Sequence, residues 1–336
     1  MGECLLVCRG GEIKKLPVLD SDYPKDMMVW GDGGSATFQV VISADGRPKD
    51  YSYHWYRDGE LVTWATGPTC TFSNLSQEKS YSIHCVVTNT AGSVTSRMAQ
   101  LTVKNPNMAY TYTGDHELIN DGNDNWRIKF KSSGVLKFTS LGKWDGVLDL
   151  FMVGGGGASG VSWNISDWCG PGGGGYTKTV KRITVQVNVE YPIVVGAGGV
   201  RATTSNTQTQ GGTSSGFDNS VEGGWSGKSI SGGNGGSGAA SSNSTLNGTD
   251  GGDGQKGSNG IGDAGKGQGT TTREFAESTG DLYASGGAYN VNNGTNNIGN
   301  GADNTGDGGG GTNNNNKQTK GGSGIVIVRN SRSPAI

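Results

Sequence analysis

The residues best suited to chemistry in this 336-residue sequence are aromatic. Trp163 and Trp168 stand in GVSWNISDWCGPGGGG, Trp225 in EGGWSG, Phe275 in TTREFAES, and Tyr283 and Tyr289 in DLYASGGAYN. All six lie in surroundings that offer little apolar core to enter. Aromatic faces on rigid loops stack on sugar rings and anchor protein partners. These six are therefore the candidate ligand-binding residues; the alternative is local packing that seals the ends of the glycine-rich structure. The tract NVNNGTNNIGNGADNTGDGGGGTNNNN adds amide donors and acceptors, or solvates an outer face.

Catalytic and metal chemistry lacks a constellation. His54 and His84 precede Trp55 and Cys85, so both point away from a core on neighbouring strands, as a solvated cross-strand pair or, less simply, a metal pair. His116 lies in a polar connector. Gly-x-Ser-x-Gly, the Walker loop and the zincin motif are all read as absent. VVGAGG follows YPIVV, but no amphipathic helix follows it, as a dinucleotide site requires. DGNDNW has the Asp/Asn alternation of a calcium loop, yet places Trp126 where that loop needs glycine. Cys4 and Cys8 lack the usual zinc spacing and no second ligand pair follows. The expectation is a non-enzymatic protein with no cofactor and no metal.

Composition narrows what positions these residues. Of 63 glycines, 15 fall in residues 1–150 and 48 in 151–336. Residues 201–320 hold too few apolar side chains to offset chain entropy by burial, so the stretch is either disordered, as a low-complexity linker such as GGNGGSGAASSNS would be, or ordered by backbone hydrogen bonds. With 8 prolines and no long strict triplet, collagen is excluded. Local spacing by three does recur, at Gly232, Gly235 and Gly238, at Gly251, Gly254, Gly257 and Gly260, and in the pairs Gly306 with Gly309 and Gly308 with Gly311. Three residues per turn is the period of an extended left-handed helix that must bond laterally. A packed bundle of polyglycine II helices meets that need.

Charge and cysteine usage exclude further classes. The formal net charge of −2, without a basic block, gives no nucleic-acid footprint. Five cysteines, an odd number thinly spread, read as reduced thiols. The start MGECLLVCRGG has too short an apolar run for a signal peptide, and Leu6 stands where myristoylation wants Ser or Thr. No window approaches 18 apolar residues, so no membrane insertion is expected.

The chain reads as a leading attachment arm over 1–22, strands of period two over 23–104, a linker over 105–125 and a final domain over 126–336. HWYRDGELV followed by YSIHCVVTNTAGSVTS resembles strands C, F and G of an immunoglobulin-like domain, with Trp55 as its core tryptophan and Cys85 in strand F. Strand B carries Phe38, Val40 and Ile42 where the first cysteine would sit, so apolar packing replaces the inter-sheet disulfide. Strand signals return in WRIKFK, GVLKFTS, VLDLFMV and YTKTVKRITVQVNVEYPIVVG, then after the glycines in GIVIVRN, which makes the glycine-rich stretch an insertion pinned at both ends.

VLDLFMVGGGGASG, GGGGYTKTVKRITVQVNVEYPIVVGAGG, GGTSSGF and GGSGIVIVR together resemble the glycine-rich domain of phage tail and receptor-binding proteins. The pattern is also similar to the glycine-rich region of anaplastic lymphoma kinase receptors. That resemblance implies an all-β chain: an immunoglobulin-like sandwich, then a tumour-necrosis-factor-like or jelly-roll-like sandwich carrying inserted polyglycine II helices. It further implies a structural or adhesive bacteriophage protein, assembled in the bacterial cytoplasm into the virion. The implied partners are other virion proteins and a host cell-surface polysaccharide or protein, with a homotrimer as the oligomer. A purely structural virion protein and a polysaccharide-processing enzyme are the alternatives.

Overall fold

The computed structural model describes residues 14–162, 169–241, 244, 246–257, 262–289, 299–311 and 319–332. They form strands and extended segments with one short 3₁₀ turn, Glu274–Ala276, as the all-β expectation requires. Two compact units divide the chain, Met1–Met108 and Ala109–Ile336.

In the first unit one sheet runs Met27–Trp30, Ala99–Lys104, Lys79–Asn89, Ser52–Arg57, Glu60–Val62, with Gly92–Thr95 also paired to Lys79–Asn89. Gly34–Gln39 and Thr69–Leu75 form the facing pair. Alternation turns Trp55, Ile83, Cys85, Val87, Leu101 and Val103 inward with Phe38, Cys70 and Phe72, all buried in one core. Trp55 and Cys85 are direct cross-strand partners, and the Trp55 indole Nε1 donates to the Gly67 carbonyl at 2.9 Å. The arrangement is immunoglobulin-like. In place of a disulfide, Phe38 lies opposite Cys70 and meets Phe72 edge-on, with ring centroids 6.1 Å apart.

Three expectations for this unit change. Ile42 does not share a strand with Phe38: it belongs to Ile42–Ala44, which pairs with Val18–Leu19. The arm expected over 1–22 is therefore partly built into the sandwich, with Lys15 bridged to Arg47 as well; residues 1–13 lie outside the described residues. His54 and His84 are offset by register, His54 opposite Val86 and His84 opposite Tyr56. The His84 ring stacks on Tyr56 at 4.9 Å instead of meeting a second imidazole.

The second unit is a sandwich of two five-stranded sheets. The first has the order Ala109–Tyr112, Gly134–Ser140, Glu190–Val194, Ser214–Gly216, Asn219–Val221, and the second His116–Gly122, Asn125–Phe130, Ile325–Asn330, Val147–Val153, Thr177–Thr184. The expected 105–125 linker is thus mostly strand, and each sheet takes one edge from it. Asn123 and Asp124 both have left-handed φ, 53° and 59°, the geometry of a two-residue hairpin turn. DGNDNW is that turn, and Trp126 packs inward, edge-on to Trp144 at 4.9 Å. Ile325–Asn330 lies between Asn125–Phe130 and Val147–Val153, antiparallel to both. The last strand closes a sheet begun before the glycines, and the insert leaves and returns at neighbouring strands.

Burial pushes the Cys70 thiol up to about 11 and the Cys85 thiol to about 12, so neither is a thiolate near neutrality. Alkylation of the native chain at pH 8, mapped by peptide mass, will leave Cys70 and Cys85 unmodified; denaturant will expose both. Native labelling of Cys85 at the unfolded rate would contradict the packed sandwich.

Candidate binding site

The glycine-rich insert is held by lateral backbone bonds of period three. The amides of Gly154, Gly157 and Gly160 donate to the carbonyls of Tyr176, Gly173 and Gly170 at 3.0, 2.8 and 2.8 Å. Those between turn elsewhere: Gly155 donates to Gly212, and Gly156 and Ser159 to Gly322 and Thr319. In the next segment Gly172 and Gly175 donate to Gly309 and Gly306, Gly173 to Trp225 and Gly174 to Ser237. Each amide three residues on returns to the same neighbour, as a threefold extended helix dictates. Parallel neighbours obey the same rule: Gly233 and Gly236 donate to Pro171 and Gly174, and Ser237 and Ala240 to Ala284 and Gly287.

Glycine is required because these backbones are closer than a side chain permits. A Cβ on Gly175 would lie 1.9 Å from the Gly154 carbonyl oxygen, and one on Gly174 1.9 Å from that of Ala284. In the unbroken runs 154–157 and 172–175 every face meets another backbone. Spacing by three, as at Gly232, Gly235 and Gly238, marks one such face of a segment, and Gly233 and Gly236 form a second face of the same segment, each about 2 Å from a neighbouring carbonyl. The centre of the bundle therefore lies partly before residue 201, where the sequence reading had placed its start.

The structure redistributes the six aromatic candidates. Trp163 and Trp168 lie outside the described residues. Trp225 is half-buried, and its main chain is woven into the lattice, donating to Asn234 and accepting from Gly173 at 2.8 and 2.9 Å. Phe275, Tyr283 and Tyr289 are buried, at 2%, 6% and 2% exposure, so their faces are closed to a ligand. Phe275 and Tyr283 pack on Phe151, with centroids 6.0 and 5.4 Å away, beside Val153, Ile325 and Ile327. These are side chains on the outer face of the second sheet, so the core that seemed missing for these rings is supplied by strands far away in sequence. Burial pushes the Tyr289 phenol up to about 12, with Cys169 adding to the shift.

Charges fasten the same loop to the sheet. The Arg329 guanidinium sits 4.0 Å from the Phe275 ring centroid and pairs with buried Asp149 at 3.3 Å and with Glu277 at 2.6 Å. Buried Glu274 meets Arg127 at 2.8 Å and Lys129 at 3.8 Å. The hydrogen bond from Arg329 holds the Glu277 carboxyl below its ordinary value against the opposing effect of burial. Contrary to the expectation that Gly-x-Ser-x-Gly is absent, GGTSSG meets that spacing, but Ser214 is wholly buried and its hydroxyl donates to the Val153 carbonyl at 2.6 Å. It is a lattice tie and not a nucleophile elbow.

A cavity of about 550 Å³ opens between lattice segments 285–289, 299–302 and 306–310, with Asn247 at its margin. Besides the buried Tyr289, four polar side chains line it, the Ser285 hydroxyl and Asn247, Asn300 and Asp307, the last three each positioned by the backbone. Asn247 Nδ2 donates to the Gly286 carbonyl at 2.6 Å, Asn300 Oδ1 accepts from the Lys320 amide at 2.9 Å, and Asp307 Oδ1 accepts from the Ser285 amide at 2.9 Å. Burial raises the Asp307 carboxyl, while bonds from Thr305 and Ser285 oppose the rise. Among the described residues, no cationic side chain lines the cavity. Asn300 and Asp307 belong to the Asn-rich tract; Asn247 carried no signal of its own, since only lattice contacts bring it to the other two.

The family model of the glycine-rich domain matches residues 133–331. No curated protein matches the chain. Among solved structures, Sidekick-1 immunoglobulin domains 1-4 align at 12% identity with a TM-score of 0.24, covering 62% of this chain and 59% of that one. A Bacteroides ovatus protein of the mixed-linkage glucan utilization locus, SGBP-B in complex with a mixed-linkage heptasaccharide, aligns at 10% identity with a TM-score of 0.19, covering 59% and 62%. The chain thus spans about three fifths of the length of each.

Gly175→Ala will destabilise the second unit by about 3 kcal/mol or more, because backbone cannot yield as a side chain does. Gly299→Ala, where an added Cβ meets nothing within 4 Å, will stay within about 0.5 kcal/mol of the parent; denaturant midpoints compare the two, and equal effects would contradict the lattice. The Glu277 bond to Arg329 contributes stability above the ordinary glutamate value and loses it as pH falls through the lowered folded one. Amide protection factors over residues 274–283 will therefore fall on the acid side of the ordinary glutamate value, before those over Val147–Val153 do.

Proposed function

We propose, from the premise that this chain belongs to the glycine-rich domain family, that it is a non-enzymatic structural and adhesive protein of a bacteriophage virion. Its glycine-rich unit contacts the host cell surface, and its immunoglobulin-like unit serves attachment to other virion proteins. The observation that carries this reading is the lattice: period-three lateral bonds hold the segments framing the cavity, so the binding groups sit on a rigid backbone and lose little freedom on contact. The family-like run from VLDLFMVGGGG to GGSGIVIVR supports the viral setting, with assembly in the bacterial cytoplasm and association as a homotrimer.

Fluorescently labelled full chain will bind susceptible bacteria and, added in excess, block infection by the cognate particle. Absence of binding to every susceptible strain, with the chain located inside assembled particles by electron microscopy, would replace this reading by a purely structural one. Release of reducing sugars from host polysaccharide would replace it by an enzymatic one.

A further inference from the structure

We infer that the cavity framed by Asn247, Ser285, Asn300 and Asp307 is a binding site for a neutral, hydroxyl-rich oligosaccharide. The inference rests on the adhesive reading and names its ligand class. A volume of about 550 Å³ falls in the range of about 300–1,000 Å³ typical of small-ligand sites, enough for a disaccharide or trisaccharide.

The polar groups choose the chemistry. Asn247, Asn300 and Asp307 each spend one atom on the backbone, which fixes the rotamer: Asn247 Nδ2, Asn300 Oδ1 and Asp307 Oδ1 are bonded to Gly286, Lys320 and Ser285. Among the described residues, Asn247 Oδ1 and Asn300 Nδ2 have no protein partner, and the Asp307 carboxylate, bonded by Ser285 and Thr305, is the charge at the site. With the Ser285 hydroxyl, the site thus offers acceptors and donors together, placed in advance. A sugar hydroxyl both donates and accepts, so adjacent hydroxyls can satisfy the acceptors and the donors together. An anionic sugar or phosphate would meet the Asp307 carboxylate with no cationic side chain among the described residues of the wall to offset it. An apolar ligand would leave the free amide atoms of Asn247 and Asn300 unpaired, at about 1–3 kcal/mol each. Alanine and glycine main chain on the remaining wall lets the ligand approach the backbone closely.

Two substitutions preserve the lattice bonds while changing the donor or the charge. Asn300→Asp keeps an oxygen for the Lys320 amide and removes the donor; Asp307→Asn keeps an oxygen for the Ser285 amide and removes the charge. The probes are maltotriose, cellotriose and chitotriose, with trigalacturonate as the anionic counterpart, titrated calorimetrically into the full chain. At least one neutral trisaccharide will bind, trigalacturonate will not, and Asn300→Asp will weaken the neutral ligand about tenfold with an unchanged denaturant midpoint. Asp307→Asn will reduce the discrimination against trigalacturonate. Binding of no neutral probe at millimolar concentration overturns the inference, as does neutral binding indifferent to both substitutions. If cells are still labelled in that case, the adhesive reading stands and only the site falls; if cell labelling also fails, the adhesive reading falls with it.

Discussion

Everything distinctive in the second unit depends on one constraint: buried backbone amides must find carbonyls without help from helix or sheet. Each such bond contributes a net ~1 kcal/mol and each orphan costs ~1–3, so the segments are drawn together until N–H and C=O meet. At that separation the space for a Cβ is already occupied by a neighbouring carbonyl, about 2 Å away at Gly155, Gly156 and Gly175. Glycine is here less a source of flexibility than a condition of contact. Its usual entropic disadvantage is borne by a structure in which nearly every glycine in the centre is bonded in place.

The sandwich supplies what the lattice cannot. Val147–Val153 carries apolar side chains toward the other sheet and also outward, where Phe151 and Val153 are capped by Phe275 and Tyr283. The polypeptide runs from this strand directly into Gly154–Gly157, so hydrophobic burial fixes the first residues of the bundle and backbone bonding takes over from there. The ion pairs at Arg127, Lys129 and Arg329 complete the same outer face. Their value lies in leaving no buried charge without a partner more than in added stability.

Much of this was legible in the residues. Trp55 and Cys85 in their strand contexts gave the first sandwich; VLDLFMV and GIVIVRN, separated by glycine, gave a sheet closed across an insert. What escaped was long-range. The apolar run VLDLFMV is hydrophobic on both faces, a pattern that calls for cover on both sides, and that cover is a loop more than 120 residues later. Read locally, Phe275 and Tyr283 had nowhere to go and looked free for ligands; their partner surface was present in the sequence but not beside them. The cavity escaped for the same reason, since Asn247 joins Asn300 and Asp307 only through bonds made by main chain, which carries no residue-specific signal. The connector before Trp126 was misjudged because its polar side chains belong to edge strands with one face in water.

The position of Ile325–Asn330 in the middle of its sheet sets the order of events during synthesis. The strand that joins Asn125–Phe130 to Val147–Val153 emerges from the ribosome only after the whole glycine-rich insert has been made. Until then two apolar strands lack their shared partner, and the closing contacts span about 200 residues, the kind of long-range pairing that folds slowly. The stretch that waits is the one rich in glycine, serine and asparagine and poor in apolar side chains, so it offers little surface for aggregation before the last strand is made.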